Sequence, residues 1–282
     1  LYGNPAKMDA LKAVANKYHL PIIEDAAEAL GSTYHGFPCG SLTEIGILSF
    51  NGNKIITTSG GGALLTDYKS FANKSIYLST QAREATLHYE HKNIGYNYRM
   101  SNIIAGIGRG QMKVLDDYVE KRRSNYDYYH RQLINIASIT FVEEPQEYHS
   151  NIWLTCVLLD TKKMRDDLLK LLNDNNIEAR PSWKPMHLQP VFDKCPYYGG
   201  VIAETLFEKG LCLPSSSTLD EEKKARIKEK LTQNELDRVL HCYNKLNTLV
   251  AIISECCVEE SKWHRSSENA VRDIRGYIRE YF

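Results

Sequence analysis

The spacing of apolar side chains changes several times in the N-terminal part of the sequence. Residues 5–19 carry apolar side chains every three or four positions, which is typical of an amphipathic helix. Short apolar runs follow at 21–25, 45–50 and 62–66, and glycine or polar residues bound them. Short strands that alternate with a helix and glycine-rich connections predict an α/β domain with a mainly parallel sheet.

The pattern turns helical over residues 101–129, which are spaced as one long helix or as two. Beyond them, strands are predicted over 139–142 and 153–159, and a helix over 163–173 leads to a strand at 177–180. This alternation predicts a smaller α/β domain in the second half of the chain.

The segment 232–282 differs from the rest because it has no proline and a single glycine. Its leucine and valine residues keep a helical period, so we expect a helical extension, in which no catalytic motif is visible. We therefore divide the chain into three regions, with the two α/β domains at 1–134 and 135–231 and the helical extension after them.

Composition and charge exclude several classes of protein. Hydrophobic residues make up 43% and charged residues 25% of the chain, which is the balance of a globular protein and not of a disordered one. Lysine and arginine total 35, as do aspartate and glutamate, so no net field attracts nucleic acid or an anionic membrane. No apolar stretch approaches the ~20 residues of a membrane-spanning helix. We expect neither a nucleic-acid nor a membrane partner.

The seven cysteines are scattered and show neither a C-x-x-C pair nor the spacing of a zinc site. An odd, dispersed set indicates reduced thiols and not a secreted disulfide framework. We therefore expect a cytoplasmic location and no metal site. Cys212, inside an apolar run, is expected to be a small buried hydrophobe and not a nucleophile.

The segment 49–54 (Ser-Phe-Asn-Gly-Asn-Lys) presents a single lysine between a predicted strand and three consecutive glycines at 60–62. Glycines allow backbone amides to approach a bound group and permit positive φ angles. A lysine in a confined pocket can lose its proton and form a Schiff base with an aldehyde cofactor. The alternative is a solvated lysine in a flexible loop.

A second segment, 24–32, places Asp25 where a predicted buried strand ends. That end is the ligand-facing edge of a parallel sheet, and a carboxylate there can keep a pyridine nitrogen protonated. The small residues Ala26 and Ala27 leave room for a flat ring against the backbone. The alternative, which does not exclude this role, is that Asp25 caps the N-terminus of a following helix.

Three segments in this order resemble one family of enzymes: Glu24–Ser32 (EDAAEALGS), Ser49–Gly62 (SFNGNKIITTSGGG) and Gly95–Asn102 (GYNYRMSN). They are similar to the signature of the DegT/DnrJ/StrS sugar aminotransferases, a fold type I group that uses pyridoxal 5'-phosphate. The resemblance covers about residues 1–230. It implies that residues 1–134 are the C-terminal part of the cofactor-binding large domain with a connecting helix, and that residues 135–231 are the small domain.

The resemblance also implies roles for individual residues. Lys54 matches the lysine that carries the cofactor and moves the proton, and Asp25 matches the partner of the pyridinium nitrogen. Glu28 matches the position beside the phenolic oxygen of the cofactor, and Ser49 matches a hydroxyl that binds its phosphate. Asn97 matches a residue that reaches the phosphate from the neighbouring subunit, which implies a homodimer with shared active sites.

A further stretch, Arg180–Pro190 (RPSWKPMHLQP), resembles the part of the family that approaches the nucleotide-sugar substrate. Lys184 and His187 are its candidates for contacting that substrate. The alternative for His187, a lone histidine between prolines, is a structural residue that makes an internal hydrogen bond.

Members of the family carry a substantial N-terminal portion with a Gly-Thr phosphate loop, an aromatic residue that stacks on the cofactor, and several sheet strands. This chain begins with Leu1 in what reads as a loop leaving a strand and shows none of these features, so we expect an N-terminally truncated member. The segment after Leu231 also lies outside the resemblance, either as a fused module or as the product of a shifted gene boundary.

The activity implied by the resemblance is transfer of an amino group from glutamate to a keto sugar linked to a nucleoside diphosphate, for surface polysaccharide or glycan biosynthesis. The lysine motif is similar to that of members acting on a UDP-4-keto-6-deoxy-N-acetylhexosamine. Two alternatives stay open. Related sugar dehydratases have histidine in place of the lysine, so Lys54 argues against them. A truncated, non-catalytic remnant would serve instead as a binding or structural protein.

Overall fold

The structure is a computed structural model that describes residues 1–234, 237–238 and 244–245. The chain separates into two units, Leu1–Lys228 and Glu229–Phe282. Within the predicted helical extension 232–282, the described residues are helical, and the remainder of that prediction lies outside the described residues. The division into domains at 134/135 and 231/232 stays a prediction.

The first unit alternates short strands with helices. Its helices include α1 (Met8–Lys17), α2 (Lys69–Ser79), α3 (Asn102–Met112), α4 (Leu115–Leu133), α5 (Lys162–Asp174) and α6 (Ile202–Lys209), and residues 221–228 are helical as well. Its strands are β1 (Ile23–Asp25), β2 (Thr33–Tyr34), β3 (Phe37–Pro38), β4 (Ile45–Ser49), β5 (Gly62–Leu65), β6 (Ile139–Phe141), β7 (Tyr148–His149), β8 (Thr155–Leu159), β9 (Arg180–Pro181) and β10 (Gly210–Leu213). Two 3₁₀ turns, Met186–Leu188 and Pro190–Phe192, connect β9 to α6.

The first sheet contains the three strands predicted in the N-terminal part, in the order β1-β4-β5. Strand β1 pairs with β4 in parallel, and β5 pairs with β4 antiparallel, so the described part of the sheet is mixed. Because β1 and β4 are parallel, their carboxyl ends, Asp25 and Ser49, lie at the same edge. This edge is where the two sequence motifs meet.

The second sheet is antiparallel throughout, in the order β6-β8-β10-β9. Helix α5 packs against it through the fully buried residues Leu168 and Leu172. The predicted strand at 153–159 begins only at Thr155, and the preceding Trp153 instead contacts the loop between β4 and β5 through Asn53. The strand predicted at 177–180 is displaced to Arg180–Pro181, where it pairs with β10.

The sequence did not predict the third sheet, in which β3 and β7 flank β2. Its strands are two residues long, which is too short for a period of two to be visible. The pairing of Thr33 with His149 and of Tyr34 with Tyr148 joins the segment after β1 to the segment before β8. Distant parts of the chain are thereby brought beside the cofactor motifs.

The helical stretch predicted over 101–129 forms two helices that are separated at Lys113 and Val114. The Ser101 hydroxyl caps α3 by accepting a hydrogen bond from the Ile104 amide at 3.3 Å. Helix α4 buries Tyr129, whose hydroxyl donates to the Pro214 carbonyl at 3.0 Å. The second contact places α4 beside the end of β10 in the second sheet.

The segment Ser150–Trp153, which we term the hub segment, connects the second sheet to both motifs. The buried Asn151 side-chain amide donates to the carbonyls of Glu28 at 3.0 Å and Leu30 at 2.8 Å. Its amide oxygen accepts from the Trp153 amide at 2.8 Å. Gly3 packs so closely that a Cβ there would lie 2.2 Å from this oxygen. The loop after β1 is therefore held mainly by one buried polar side chain.

An ion pair holds the other end of the hub segment. The Arg123 guanidinium donates to both carboxylate oxygens of Glu144, at 3.1 and 2.9 Å, and to the Ser150 carbonyl at 2.6 Å. The Ser150 amide also donates to Glu144. Burial raises the pKa of Glu144, but these hydrogen bonds outweigh it and hold that pKa below its ordinary value.

Replacing Asn151 tests the hub segment. We expect Asn151→Ala to lower the free energy of unfolding by about 2–4 kcal/mol, because two buried carbonyls and one amide lose their partner. The matched control, Asn73→Ala on the exposed face of α2, should change it by less than about 0.5 kcal/mol. Urea unfolding measures both, and equal effects of the two substitutions would contradict the role of Asn151.

Glu144 gives the fold a pH dependence. Because its folded pKa is lowered, its stabilisation is present above the ordinary glutamate pKa and is lost as the pH falls through the folded pKa. We expect Glu144→Gln to cost about 1 kcal/mol at pH 7, a value that partial exposure limits, and almost nothing near pH 2. Urea unfolding across this range, with the exposed Glu143→Gln as control, should show a pH-dependent difference only for Glu144.

Candidate active site

A cleft of about 940 Å³ opens beside the carboxyl edge of β1, between the first sheet and the second. Its lining combines one lysine of a motif with carboxylates, small residues and aromatic rings. The residues that bear on its chemistry are Tyr2, Asp25, Ala26, Ala27, Glu28, Lys54, Trp183 and Lys184. Four of the predicted site residues, Asp25, Glu28, Lys54 and Lys184, are thus brought to one cleft.

Lys54 lies on the loop between β4 and β5, where its amide donates to the Asn51 carbonyl at 3.1 Å. Its side chain is 13% exposed, so it is not the solvated loop lysine of the alternative interpretation. The Nζ atom lies 4.0 Å from a Glu28 carboxylate oxygen and 4.3 Å from the centroid of the Trp153 ring. The ammonium is therefore held between a carboxylate and an aromatic face.

Asp25 ends β1, and its carboxylate is exposed to the cleft. One oxygen accepts a hydrogen bond from the Ala27 amide at 3.1 Å. Residues 26–32 form turns and no helix, so Asp25 is not a helix cap. Ala26 is buried and Ala27 half-buried, and both small residues line the cleft beside the carboxylate.

Glu28 is the most connected side chain of the cleft. One of its carboxylate oxygens accepts from the Tyr2 amide at 2.7 Å, and the other accepts from the Trp183 indole at 3.1 Å. The second oxygen is also the one that faces Lys54. Glu28 therefore joins the chain start, the loop after β9 and the lysine.

Three aromatic rings, which the sequence interpretation did not single out, form a contiguous group at the site: Tyr2 and Trp183 line the cleft, and Trp153 lies behind them in a neighbouring cavity. The ring centroids of Tyr2 and Trp183 lie 5.5 Å apart, and those of Trp183 and Trp153 lie 6.2 Å apart. The Tyr2 hydroxyl accepts from the Trp183 amide at 2.6 Å, and burial raises the pKa of Tyr2 above its ordinary value. The chain has three tryptophans, and Trp183 lies inside the quoted 180–190 motif. Its place in that motif was the sequence signal that could have identified it.

The two predicted phosphate-binding residues lie elsewhere. Ser49 ends β4 at the same sheet edge, and its hydroxyl accepts from the Asn51 amide at 3.3 Å. Asn97 is exposed and pairs with Thr80 in an isolated β-bridge. Neither residue is among those that line the cleft in the described part of the chain.

The two predicted substrate residues differ in their surroundings. Lys184 is exposed at the mouth of the cleft. His187 has a ring nitrogen 2.9 Å from a Glu204 carboxylate oxygen, and its ring stacks on Tyr197 with centroids 3.8 Å apart. His187 is therefore held by internal contacts, as the structural alternative describes, while its predicted role in substrate binding stays a prediction.

Among the described residues, four cysteines are free thiols: Cys39, Cys156, Cys195 and Cys212. Cys212 is buried, as expected, and its sulfur lies 3.5 Å from that of Cys156 on the facing strand. A search of the described part of the chain finds no cluster of residues suited to a metal ion. In the same residues, no helix is long and apolar enough to cross a membrane.

Comparison with known proteins identifies the same family as the sequence motifs. The model of the DegT/DnrJ/EryC1/StrS aminotransferase family matches residues 1–232. The chain is 46% identical over 235 residues to EpsN of Bacillus subtilis (strain 168), which is designated a pyridoxal phosphate-dependent aminotransferase. It is 34% identical over 233 residues to GDP-perosamine synthase of Escherichia coli O157:H7.

Solved structures confirm the fold. The aminotransferase PseC of Helicobacter pylori matches with a TM-score of 0.78 at 22% identity, over 84% of this chain and 65% of that one. A DegT DnrJ EryC1 StrS aminotransferase from Brucella abortus matches with a TM-score of 0.75 at 26% identity, over 83% and 62%. The expected fold type I architecture is therefore present.

The chain spans only part of its relatives. The alignment with EpsN covers 82% of this chain and 61% of the relative, and that with GDP-perosamine synthase covers 83% and 63%.

The contacts of Glu28 generate a prediction for the site. We expect Glu28→Ala to lower the free energy of unfolding by about 1–3 kcal/mol, because the Trp183 indole and the Tyr2 amide lose a charged acceptor. Released from Glu28, Trp183 should also become more accessible to acrylamide, as measured by fluorescence quenching. Glu28→Gln, which keeps an oxygen acceptor, should show smaller changes. Identical behaviour of the two variants would contradict the acceptor role.

Proposed function

The chain belongs to the DegT/DnrJ/EryC1/StrS aminotransferase family, and we propose that it takes part in the pyridoxal phosphate-dependent transfer of an amino group from glutamate to a nucleotide-linked keto sugar. The observation that carries this proposal is the placement of Lys54, Glu28 and Asp25 on one cleft. Enzymes of this family use pyridoxal 5'-phosphate, and one structural neighbour, Spr1654 from Streptococcus pneumoniae, has been solved in its pyridoxal phosphate form.

The residues of the cleft fit this cofactor. Lys54 supplies a shielded amine for its aldehyde, and Asp25 presents a carboxylate from the edge of the sheet. The small side chains of Ala26 and Ala27 leave space for a flat ring between Lys54 and Asp25. A carboxylate beside a phenolic oxygen would repel its charge. At Glu28 two N–H donors and the Lys54 ammonium already offset that repulsion.

When bound, the cofactor supplies an electrophilic carbonyl carbon and a ring that withdraws the electrons of a breaking C–H bond. Asp25 keeps a positive charge on the ring nitrogen, which strengthens that withdrawal. The Lys54 Nζ atom removes the proton from the carbon that carries the donor's amino group. It later returns a proton to the sugar carbon that receives the amine. Glu28 holds the ammonium form of Lys54 in place between these steps.

The proposed substrate is a keto sugar on a nucleoside diphosphate, and a UDP-4-keto-6-deoxy-N-acetylhexosamine is our specific candidate. The name of one relative, GDP-perosamine synthase, supports a nucleotide-linked sugar as the general class. Lys184, at the mouth of the cleft, is a suitable cation for the diphosphate. His187, held by Glu204, is our second candidate for contacting the substrate. The product would serve surface polysaccharide or glycan biosynthesis.

Two further proposals concern assembly and location. Ser49 would bind the cofactor phosphate from its own subunit, and Asn97 would reach it from a second copy of the chain. The exposure of Asn97, and of Tyr96 and Tyr98 beside it, is consistent with such a homodimer. We also propose a cytoplasmic location, on the basis of the odd, scattered cysteine pattern of the sequence.

The visible absorption spectrum of the chain with pyridoxal phosphate tests this function. We expect a yellow band from lysine-bound cofactor that is absent in Lys54→Ala and unchanged in the control Lys69→Ala, on the exposed end of α2. Adding glutamate should bleach the band. Asp25→Asn should retain the band but slow bleaching by about a hundredfold or more, because a charge that supports the reacting group is lost.

The outcomes separate the candidates. A band that bleaches with glutamate supports an aminotransferase. A band of equal strength in Lys54→Ala contradicts the assignment of the lysine. If no band forms in the unsubstituted chain, this chain does not carry the reaction by itself, and the alternative of a binding or structural protein is favoured.

A further inference from the structure

Trp153 contacts both the ammonium of Lys54 and the backbone of the preceding residue, Asn53. The ring of Trp153 is 2% exposed, and its centroid lies 4.3 Å from the Lys54 ammonium. Its indole N–H donates at 2.8 Å to the carbonyl of Asn53, the residue immediately before the lysine. One side chain thus fixes the backbone that carries the lysine and also offers an aromatic face to its charge.

Two hydrogen bonds hold the backbone of Trp153 in place. The Trp153 amide donates to Asn151, and its carbonyl accepts from the buried Arg122 guanidinium. Burial lowers the pKa of Arg122 to about 10, so this donor is still charged at neutral pH. The ring packs with Ile55 and Ile56 in a buried cluster, on the loop that follows the lysine.

The backbone beside Trp153 is strained. Ile152 has a φ of +44°, a conformation that β-branched residues rarely adopt and that costs about 1–3 kcal/mol. Such a residue persists only where the surrounding contacts over-determine it, as those of Ser150, Asn151 and Trp153 do here. The strained residue directly precedes Trp153, whose indole contacts the lysine loop.

We propose that Trp153 is a positioning residue for Lys54: its indole N–H holds the Asn53 carbonyl, and its buried ring face holds the ammonium of Lys54, which itself lines the cleft. This inference deepens the proposed function, since it rests on Lys54 as the cofactor-bearing residue. The geometry itself can be tested without the cofactor.

Lys54 also has neighbours other than the Trp153 ring, and they show what the ring contributes to its position. Glu28 is the charged partner, at 4.0 Å. The large cleft also brings Asp25, Tyr2 and Lys184 towards the lysine, while a smaller cavity of about 440 Å³ brings Tyr118 and Arg122 from α4. Glu28 attracts the ammonium from one side only, so without the ring the lysine would be free to swing about that contact.

The first test is carbon-13 NMR of the cofactor-free chain after reductive methylation, with Lys54→Arg assigning the Lys54 signal. Methyl groups over an aromatic face resonate upfield, so we expect a shifted Lys54 signal that moves to the position of exposed lysines in Trp153→Leu. Trp153→Phe should keep part of the shift. A matched pair elsewhere, Lys224 above Tyr128 at 5.3 Å, provides the control, because Tyr128→Leu should move only the Lys224 signal.

The second test is the rate at which pyridoxal phosphate and borohydride label Lys54, measured by mass spectrometry of its peptide. We expect Trp153→Leu to lower this rate by about tenfold or more, because the amine is no longer held in one geometry. Trp153→Phe should recover part of the loss. A variant that is only less stable would lose signal in proportion to its unfolded fraction, which circular dichroism reports, and Trp153→Phe would then show no selective effect on Lys54.

The proposal is overturned if the Lys54 signal is unshifted in the unsubstituted chain, or if Trp153→Leu leaves both the shift and the labelling rate unchanged. If Trp153→Leu does not fold, the unsubstituted chain and Trp153→Phe still decide the question. Failure of the proposed function gives a different result. In that case the NMR shift depends on Trp153, but pyridoxal phosphate labels Lys54 no faster than it labels exposed lysines.

Discussion

The rest of the site depends on the hydrogen bonds of the buried Asn151 side-chain amide. Its two donor bonds hold the carbonyls of the loop after β1, and its oxygen fixes the amide of Trp153. An unpaired buried carbonyl is costly, so the loop has few other conformations available. The carboxylates and the lysine therefore keep their spacing although they come from different strands.

The site contains charged groups whose burial would be unfavourable if each were present without the other. A shielded ammonium loses hydration, and a half-buried carboxylate does too. The opposite charges of Lys54 and Glu28, 4.0 Å apart, offset this loss of hydration. The Tyr2 amide and the Trp183 indole each donate a hydrogen bond to one of the two Glu28 carboxylate oxygens. The Trp153 ring adds attraction without adding a second negative charge. Asp25 stays outside this cluster and faces the cleft, where it is available to a bound ring.

Much of the fold was predictable because its signals are local. The strands β1, β4 and β5 and the helix α5 follow from apolar spacing, and the three motifs at 24–32, 49–62 and 95–102 together indicated the family that the comparison confirms. The two-residue strands and the late start of β8 were not predictable, because long-range contacts decide them. For the same reason the sequence indicated Asp25 and Lys54 but not the part played by Trp153, which lies 99 positions beyond Lys54 along the chain.

The proposed function depends on Lys54 as the residue that carries pyridoxal phosphate. Borohydride reduction of the chain with this cofactor, followed by mass spectrometry of all lysine-containing peptides, tests that role. We expect the reduced cofactor on the peptide containing Lys54, at a cofactor concentration that leaves exposed lysines such as Lys69 and Lys163 unlabelled. Labelling spread evenly over the lysines, or concentrated on a lysine away from the cleft, would contradict it.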